Sequence, residues 1–232
     1  MKNDKISVGE LQELLKEEKP VFILDVRPEE EREEWYIPES HHYDVYEQIK
    51  EGREDIFDDK KLPHDMPVVT VCDAGKTSQT AAEILAEKGY KSYSLEGGMK
   101  AWNFAWNTAE LSLPDSDLRI IQVRRTAKGC LSYLIGSGAE SIVVDASLGP
   151  AIYLNLARNN GWKIRYAMDT HIHADYLSRT RELAAESGAD HLFLESAEVE
   201  YPYFPFRDGQ KLPFGNAEIE VLHTPGHTPE ST

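Results

Sequence analysis

A short apolar run at residues 68–71 ends on Cys72, and a polar loop then leads into a helical pattern at residues 81–86. A strand that is buried on both faces of a parallel sheet is typically a continuous apolar run of this kind. Similar runs occur at residues 21–24 and 91–95. The alternation of such strands with helical segments predicts a parallel α/β sheet in the first half of the chain.

The loop after the 68–71 strand carries the first candidate site. In open α/β sheets, ligands bind where strands end and helices begin. Successive backbone N–H groups in such a loop can surround an anion, and a thiol beside them ionises more easily to the nucleophilic thiolate. The alternative, a buried structural cysteine, stays open at this point. The candidate nucleophile is Cys72, and the candidate anion-binding residues are Asp73, Ala74, Gly75, Lys76, Thr77 and Ser78.

The composition of the 232 residues restricts the class of partner. A net charge of −16 argues against nucleic acid and against anionic membranes, because both bind clustered Lys and Arg. No segment approaches the ~20 consecutive apolar residues of a membrane span. The two cysteines form no CxxC pair, which is typical of a reducing compartment, so we expect a cytoplasmic protein. Cys130 lies in an apolar run and is interpreted as a packed thiol.

The pattern of the chain changes after its first hundred residues. Clear periodicity is lost around Pro114, and we predict a linker at residues 107–117 between domains at 1–106 and 118–232. Beyond it, three strands separated by short polar turns predict an antiparallel start to a second sheet. The remaining predicted elements are a helix near 151–159, a strand at 163–168, a helix at 177–187, a strand at 191–194 and a β pair around 210–222.

A histidine cluster provides the second candidate site. His171, His173 and Asp175 fall in a short turn directly after the 163–168 strand, so two imidazoles and a carboxylate can converge on one ion. His227 lies in a second loop rich in turn residues. A lone histidine is more often a surface or core residue, but this combination with a Gly-His loop favours a metal site.

The first half resembles a rhodanese domain over roughly residues 5–104. The resemblance rests on residues 24–27, Ile37-Pro38, the Cys72 loop and the stretch 95–102. It implies that Cys72 accepts a sulfane sulfur and passes it to a nucleophile, with Asp25 and Arg27 in a structural role. Many rhodaneses have Arg where this chain has Thr77, and a Thr hydroxyl cannot provide the bidentate grip of Arg on thiosulfate. We therefore expect a small thiol persulfide as donor, with sulfite or thiosulfate as further partners.

The second half resembles the metallo-β-lactamase fold, and within it the persulfide dioxygenases and their glyoxalase II-like relatives. The persulfide dioxygenases imply a mononuclear Fe(II), with Zn less expected, and oxidation of a substrate such as glutathione persulfide to sulfite. By position His171 and His227 match the two His ligands, while His173 and Asp175 match ligand or outer-shell positions. Tyr176 stands where dinuclear hydrolases of the superfamily have a His ligand to a second metal, which favours one metal. A glyoxalase II-like thioesterase and a non-catalytic sulfur carrier are the alternatives.

The resemblance also predicts an incomplete second domain. The family's carboxylate ligand comes from a strand beyond the Gly-His loop, so we expect a truncated or proteolytic form with weak or absent iron binding. The expected fold is an α/β rhodanese-like parallel sheet followed by a partial, C-terminally truncated αββα metallo-β-lactamase-like domain. Such a half-sandwich would leave one apolar face and open strand edges uncovered. Homo-oligomer formation is left open.

Overall fold

The computed structural model describes residues 4–114 and 116–232, which divide into two compact units, one ending at Ala105 and the other beginning at Trp106. The first unit has the parallel sheet that the apolar runs predict, and its strand order is β1-β5-β4-β2-β3. Its strands are β1 (Lys5–Ile6), β2 (Phe22–Asp25), β3 (His41–His42), β4 (Val68–Val71) and β5 (Ser92–Leu95). Its helices are α1 (Val8–Lys16), α2 (Glu29–Glu34), α3 (Tyr46–Lys50), α4 (Thr77–Glu87) and α5 (Gly98–Trp102).

The core of the first unit fixes the place where β4 ends. Leu24, Val68 and Leu85 are buried in one apolar cluster that also includes Cys72. Because β4 is flanked on both sides by parallel strands, the backbone of Cys72 is held at the carboxyl edge of the sheet. Helix α1 begins directly after Ser7, which forms a reciprocal capping box with Glu10.

The second unit has a seven-stranded sheet with order β12-β11-β10-β9-β8-β7-β6. The strands from β6 to β9 pair antiparallel and those from β9 to β12 pair parallel, which confirms the predicted antiparallel start. They are β6 (Asn107–Ser112), β7 (Arg119–Arg125), β8 (Cys130–Ser137), β9 (Glu140–Val144), β10 (Lys163–Met168), β11 (Asp190–Leu194) and β12 (Phe204–Phe206). The helices α6 (Pro150–Asn159) and α7 (Thr180–Ser187) and the hairpin β13 (Lys211–Phe214) and β14 (Ala217–Glu220) complete this unit.

Two of the expected boundaries are wrong. The linker predicted at 107–117 contains β6, which pairs with β7 along its full length and belongs to the second unit. Its side chains are mostly exposed, so this edge strand is held by backbone pairing and has no apolar pattern to reveal it. The predicted helix at 177–187 begins only at Thr180, because the Ser178 hydroxyl bonds both the Thr180 N–H and the Asp169 carboxylate.

Both faces of the second sheet carry packed apolar side chains. On one face, Val143 and Leu134 pack with Tyr153 of α6 and Leu183 of α7. The other face is partly covered by the β13–β14 hairpin. Its residues Leu212, Phe214 and Val221 share a buried cluster with Ile142, Tyr166 and Met168 of the sheet. The predicted β pair therefore covers part of the apolar face that was expected to be uncovered.

Candidate active sites

The Cys72 thiol lies at the carboxyl end of β4, with 2% of the residue exposed. The backbone N–H groups of Gly75 and Ser78 donate to its Sγ at 3.2 and 3.3 Å. The thiol donates to the Ser78 Oγ at 3.3 Å. These contacts provide three polar partners for sulfur, two of which are fixed donors suited to a sulfur anion.

The other predicted loop residues lie around this sulfur at different depths. Ala74 and Lys76 are exposed, Thr77 is half-buried as the first residue of α4, and Ser78 is fully buried. The Asp73 carboxylate accepts a hydrogen bond from Lys100 of α5 at 2.6 Å. Lys76, the cation within the loop, has no carboxylate partner among the described residues.

A second carboxylate adds negative charge beside the loop. Burial raises the pKa of Glu31 on α2, and the charge of Asp73 raises it further, whereas Arg27 acts in the opposite direction. Glu31 and Asp73 are therefore close enough to repel each other. The surroundings of the sulfur are less favourable to a dianionic donor such as thiosulfate than a loop lined by Arg would be.

Asp25 and Arg27 form a buried ion pair at the end of β2. The Arg27 Nη2 donates to Asp25 Oδ2 at 2.7 Å and the Nε to Oδ1 at 3.0 Å. Arg27 also donates to the backbone carbonyls of Glu31 and Trp35, so that it ties α2 to the sheet. Among the described contacts neither side chain bonds Cys72, which agrees with a structural role.

The first turn of α5 presses against the Cys72 loop. The N–H groups of Met99 and Lys100 donate to the carbonyls of Cys72 and Asp73, both at 2.9 Å. Gly98, at φ +57°, approaches so closely that a Cβ there would lie 2.1 Å from the Cys72 oxygen. Only glycine permits this approach in this backbone region. The stretch 95–102 therefore holds the loop in place.

The predicted histidines meet at the edge of the second sheet. The rings of His171 and His173 are 4.1 Å apart between centroids, and His227 stands edge-on to His171 at 4.8 Å. His227 is exposed, and so is Asp175 in the loop of His171 and His173. The two loops that the sequence singled out therefore do lie side by side.

Asp145, which the sequence analysis missed, organises this cluster. It follows β9 at φ +57°, an unusual conformation for a residue with a side chain. Its Oδ1 accepts from the Thr170 N–H at 2.7 Å and from His173 Nε2 at 3.0 Å, and its Oδ2 accepts from the Thr170 hydroxyl at 2.9 Å. The sequence feature that could have revealed Asp145 is an apolar strand that ends in a polar residue, the same pattern that precedes Cys72.

Counting protons assigns the free nitrogens of the histidines. Because the Thr170 hydroxyl donates to the Asp145 carboxylate, its oxygen must accept from His171 Nδ1, which lies 2.9 Å away. The lone pair of His171 is then on Nε2. His173 donates through Nε2 to Asp145, which leaves the lone pair of its neutral ring on Nδ1. Outer carboxylates that orient imidazoles in this way are typical of metal sites, so the donor set fits a metal ion.

Further carboxylates surround His173. The donor atoms of Asp145, Asp169 and His173 all lie within 4.8 Å of one another. Asp169 is itself fixed by the hydroxyls of Ser178 and Thr180 at 2.9 and 2.7 Å. The sequence prediction placed the missing carboxylate ligand outside the chain, whereas the structure brings two unpredicted carboxylates to the cluster.

The residues after His227 close over the first histidine loop. The carboxylate of Glu230, which is buried, accepts from the Ile172 N–H at 2.8 Å, and the Thr232 N–H donates to the Thr170 carbonyl at 3.0 Å. Burial opposes ionisation of Glu230, but the bonds from Ile172 and its own backbone lower its pKa on balance. Glu230 is thus a structural acceptor that sequence reasoning also missed.

The two imidazoles have opposite proton affinities. Burial and the nearby His173 lower the pKa of His171. Burial also acts to lower the pKa of His173, but the hydrogen bond and charge of Asp145, with the charges of Asp169 and Asp175, raise it on balance. His171 therefore holds a proton less readily than His173 does.

Comparison with known families assigns both units. A rhodanese-like domain model matches residues 7–105, and a metallo-beta-lactamase superfamily model matches residues 125–231. The chain is 32% identical over 102 residues to "Putative sulfurtransferase YtwF" of Bacillus subtilis, covering 92% of that protein and 44% of this chain. The chain belongs to the rhodanese family. Its rhodanese-like domain is followed by a metallo-beta-lactamase superfamily domain.

The second domain matches parts of longer proteins. It is 32% identical over 95 residues to "Hydroxyacylglutathione hydrolase" of Methylococcus capsulatus, which covers 40% of this chain and 36% of that protein. The chain therefore spans about a third of this relative. The crystal structure of ETHE1 from Myxococcus xanthus is similar at 23% identity, a TM-score of 0.40, and coverage of 54% of this chain and 51% of that one.

Tyr176 closes one side of the histidine cluster in the metallo-beta-lactamase domain. Its hydroxyl lies 2.9 Å from His173 Nε2 and donates to the Asp145 carbonyl at 3.4 Å. Burial, together with the charges of Asp145 and Asp169, raises its pKa far above the ordinary value, so it stays a neutral phenol. Dinuclear hydrolases of the superfamily have a His ligand to a second metal at this position. Here the position holds a neutral phenol, which does not ligate metal.

A cavity of about 530 Å³ adjoins the cluster. Its lining includes Asp169, His171 and the exposed Leu177. The guanidinium of Arg181 lies over the Tyr201 ring at 5.1 Å from its centroid, within the same lining. The volume is in the range of small-molecule sites.

Within the described residues, no helix has the length and apolar character that a membrane span requires.

Proposed function

We propose that the rhodanese-like domain transfers sulfane sulfur through a persulfide on Cys72. The observation that carries the proposal is the pair of backbone donors, Gly75 and Ser78, that point at a buried sulfur. Fixed N–H groups stabilise a sulfur anion without any rearrangement during the reaction. The same sulfur has no charged side chain bonded to it in the described part of the chain.

The proposed cycle has two displacements at sulfur. The Cys72 thiolate attacks the outer sulfur of a persulfide donor, a new S–S bond forms, and the donor leaves as its thiolate. A nucleophile such as sulfite then attacks the outer sulfur of the Cys72 persulfide and takes it, which restores the Cys72 thiolate. Before the first displacement and after the second, the Gly75 and Ser78 amides stabilise the Cys72 thiolate, and in between the charge lies on the outer sulfur, one bond from the atom that they contact.

The donor is proposed to be a small thiol persulfide. Thiosulfate carries two negative charges, and the loop offers it only Lys76, because Lys100 is already paired with Asp73. A thiol persulfide carries less charge at its reactive end and needs no bidentate cation. Glutathione persulfide is the test compound for this class.

For the second domain we propose a metal-dependent reaction on the same class of compound. His171 and His227 would hold the metal, with His173 and Asp175 as ligands or outer-shell groups, and Asp145 orients two of the rings. Bound Fe(II) supplies the redox chemistry by which dioxygen oxidises a persulfide to sulfite. Tyr176 supports this proposal over a hydrolase, since it keeps a second water-activating metal ion out. The adjoining cavity would admit the thiol carrier.

A glyoxalase II-like thioester hydrolase is the second candidate, favoured by the similarity to the hydroxyacylglutathione hydrolase. Assays of iron-loaded and zinc-loaded protein distinguish the dioxygenase from the hydrolase. Oxygen uptake that depends on glutathione persulfide and iron supports the dioxygenase. Zinc-dependent cleavage of a glutathione thioester, without oxygen uptake, supports the hydrolase.

The sulfur-transfer proposal is tested by Cys72→Ser with Cys130→Ser as the matched control. Cys130, the other cysteine, is half-buried on β8. Mass spectrometry after incubation with glutathione persulfide should find one added sulfur in the control and none in Cys72→Ser. Transfer to cyanide should fail only in Cys72→Ser. A persulfide that forms on Cys72 without any turnover would favour the sulfur-carrier alternative, and transfer that survives Cys72→Ser would overturn the assignment.

A further inference from the structure

A buried chain of hydroxyl groups extends from Cys72 into the sheet. The Ser78 Oγ lies 3.3 Å from the Cys72 Sγ and 2.8 Å from the Ser94 Oγ on β5. The Ser94 Oγ in turn lies 3.5 Å from the Gly75 carbonyl, a long contact back to the same loop. Ser78 and Ser94 are 0% and 1% exposed, so water does not substitute for either partner.

The direction of this chain depends on the charge of the sulfur. When Cys72 is a thiol, its S–H donates to Ser78, Ser78 donates to Ser94, and Ser94 donates to the Gly75 carbonyl. When the sulfur is an anion, it can only accept, so the Ser78 hydroxyl must turn and donate to it. Ser94 then donates to Ser78. Ser78 keeps a donor and an acceptor role in both states, whereas in the anionic state Ser94 gives its proton to Ser78 and loses the long contact to the Gly75 carbonyl.

We propose that Ser94 is a positioning residue for sulfur transfer, which acts through Ser78 to stabilise the anionic forms of Cys72. A hydrogen bond received by Ser78 polarises its O–H group and strengthens the bond that it donates to the sulfur anion, an effect of about 10–30% per bond in a buried chain. The proposal rests on the proposed function, because only a sulfur that alternates between thiol and anion needs a reversible chain.

Ser92 provides a matched control on the same strand. It is also a buried serine, but its hydroxyl donates to the Ala82 carbonyl of α4 at 2.7 Å and has no contact with Ser78 in the described structure. Ser92→Ala and Ser94→Ala therefore remove the same group at the same depth. Only Ser94→Ala breaks the chain to Cys72.

The test measures the rate of Cys72 alkylation by iodoacetamide against pH in the full chain, with Cys130→Ser as the background. Ser94→Ala should move the midpoint of this profile upward by about half a pH unit, which corresponds to about threefold less thiolate at a fixed lower pH. Ser92→Ala should leave the midpoint in place. Both variants leave the charged groups around the loop unchanged, namely Asp25 and Arg27 on β2, Glu31 on α2, Asp73 and Lys76 in the loop, and Lys100 on α5.

Two further variants keep the test decisive. In a Ser78→Ala background, Ser94→Ala should have no additional effect, because the link to sulfur is already cut. Ser94→Thr keeps a hydroxyl and should retain the natural midpoint, whereas a shift equal to that of Ser94→Ala would show that packing, and not the hydroxyl, sets the midpoint. An equal shift in Ser92→Ala, or a Ser94→Ala shift that persists without Ser78, would overturn the proposal. Alkylation does not depend on sulfur transfer, so failure of the transfer proposal is detected separately, by the persulfide assay.

Discussion

Gly98→Ala should disable the Cys72 loop although it changes no group that touches substrate. The added Cβ would lie 2.1 Å from the Cys72 carbonyl oxygen, 2.8 Å from the Asp73 oxygen and 2.8 Å from the Gly75 nitrogen. All three atoms are backbone, so no flexible side chain can move aside. Since real Cβ contacts are almost never shorter than 3.0 Å, the Cys72 carbonyl must withdraw by about 1 Å.

The size of the effect follows from what this withdrawal breaks. An alanine at φ +57° costs about 1–2 kcal/mol. Separation of the loop from α5 also removes the bonds from Met99 and Lys100 to the loop carbonyls, at about 0.5–1.5 kcal/mol each. The sum is about 2–5 kcal/mol. The Gly75 nitrogen is one of the three displaced atoms, so its N–H also moves away from the Cys72 sulfur.

Gly89→Ala is the matched control for this prediction. Gly89 has φ +85°, yet a Cβ there meets nothing within 4 Å, so only the conformational cost of about 1–2 kcal/mol applies. Urea unfolding and glutathione persulfide-to-cyanide transfer should be measured on both full-length variants. We expect Gly89→Ala to lose some stability and keep its transfer rate per folded molecule, while Gly98→Ala loses most of its transfer. Equal behaviour of the two variants would refute the steric reasoning.

Three other changes are predicted. Thr77→Arg should raise the use of thiosulfate relative to glutathione persulfide by about tenfold or more, because a bidentate cation then faces the anion, and an unchanged ratio of the two rates would contradict this. Tyr176→His should raise bound zinc from one toward two ions per chain in metal analysis; a constant stoichiometry would mean that Tyr176 does not block the second position. Hydrogen bonds from Asn216, Ser137 and Gly138 lower the pKa of Asp117 below its ordinary value of 3.8. The stability that the Asp117 carboxylate contributes to the fold is therefore present above pH 3.8 and is lost as the pH falls through the pKa of the folded state. In urea unfolding at pH 6 and pH 3, the stability difference between the natural chain and Asp117→Asn should therefore shrink on acidification, and a difference independent of pH would oppose the assignment.

The sequence singled out both candidate sites because each lies where an apolar strand gives way to a polar loop. Cys72 follows β4, and His171 and His173 follow β10. Local pattern suffices at such points, because the carboxyl edge of a parallel sheet collects the loops that bind ligands. The parallel pairing of the first sheet was predictable from the alternation of apolar strands with helical segments.

What the sequence did not reveal depends on contacts between distant segments. Asp145 and Asp169 each follow a strand, but their importance arises only when β9 and β10 pair and bring them to His173. Glu230 acts through the Ile172 backbone, 58 residues away in sequence, and no periodicity encodes such a contact. The strand β6 was taken for a linker because an exposed edge strand satisfies its backbone by pairing and needs no apolar face.

The closure of residues 230–232 over residues 170–172 has a consequence for how an ion would be captured. Bringing two distant chain segments together carries an entropic penalty that grows with their separation along the sequence. Here the Glu230–Ile172 and Thr232–Thr170 hydrogen bonds offset that penalty during folding. These bonds join the loops that carry His171 and His227, so the fold itself contributes to the proximity of the two rings, and binding of a cation should require little further ordering of the polypeptide.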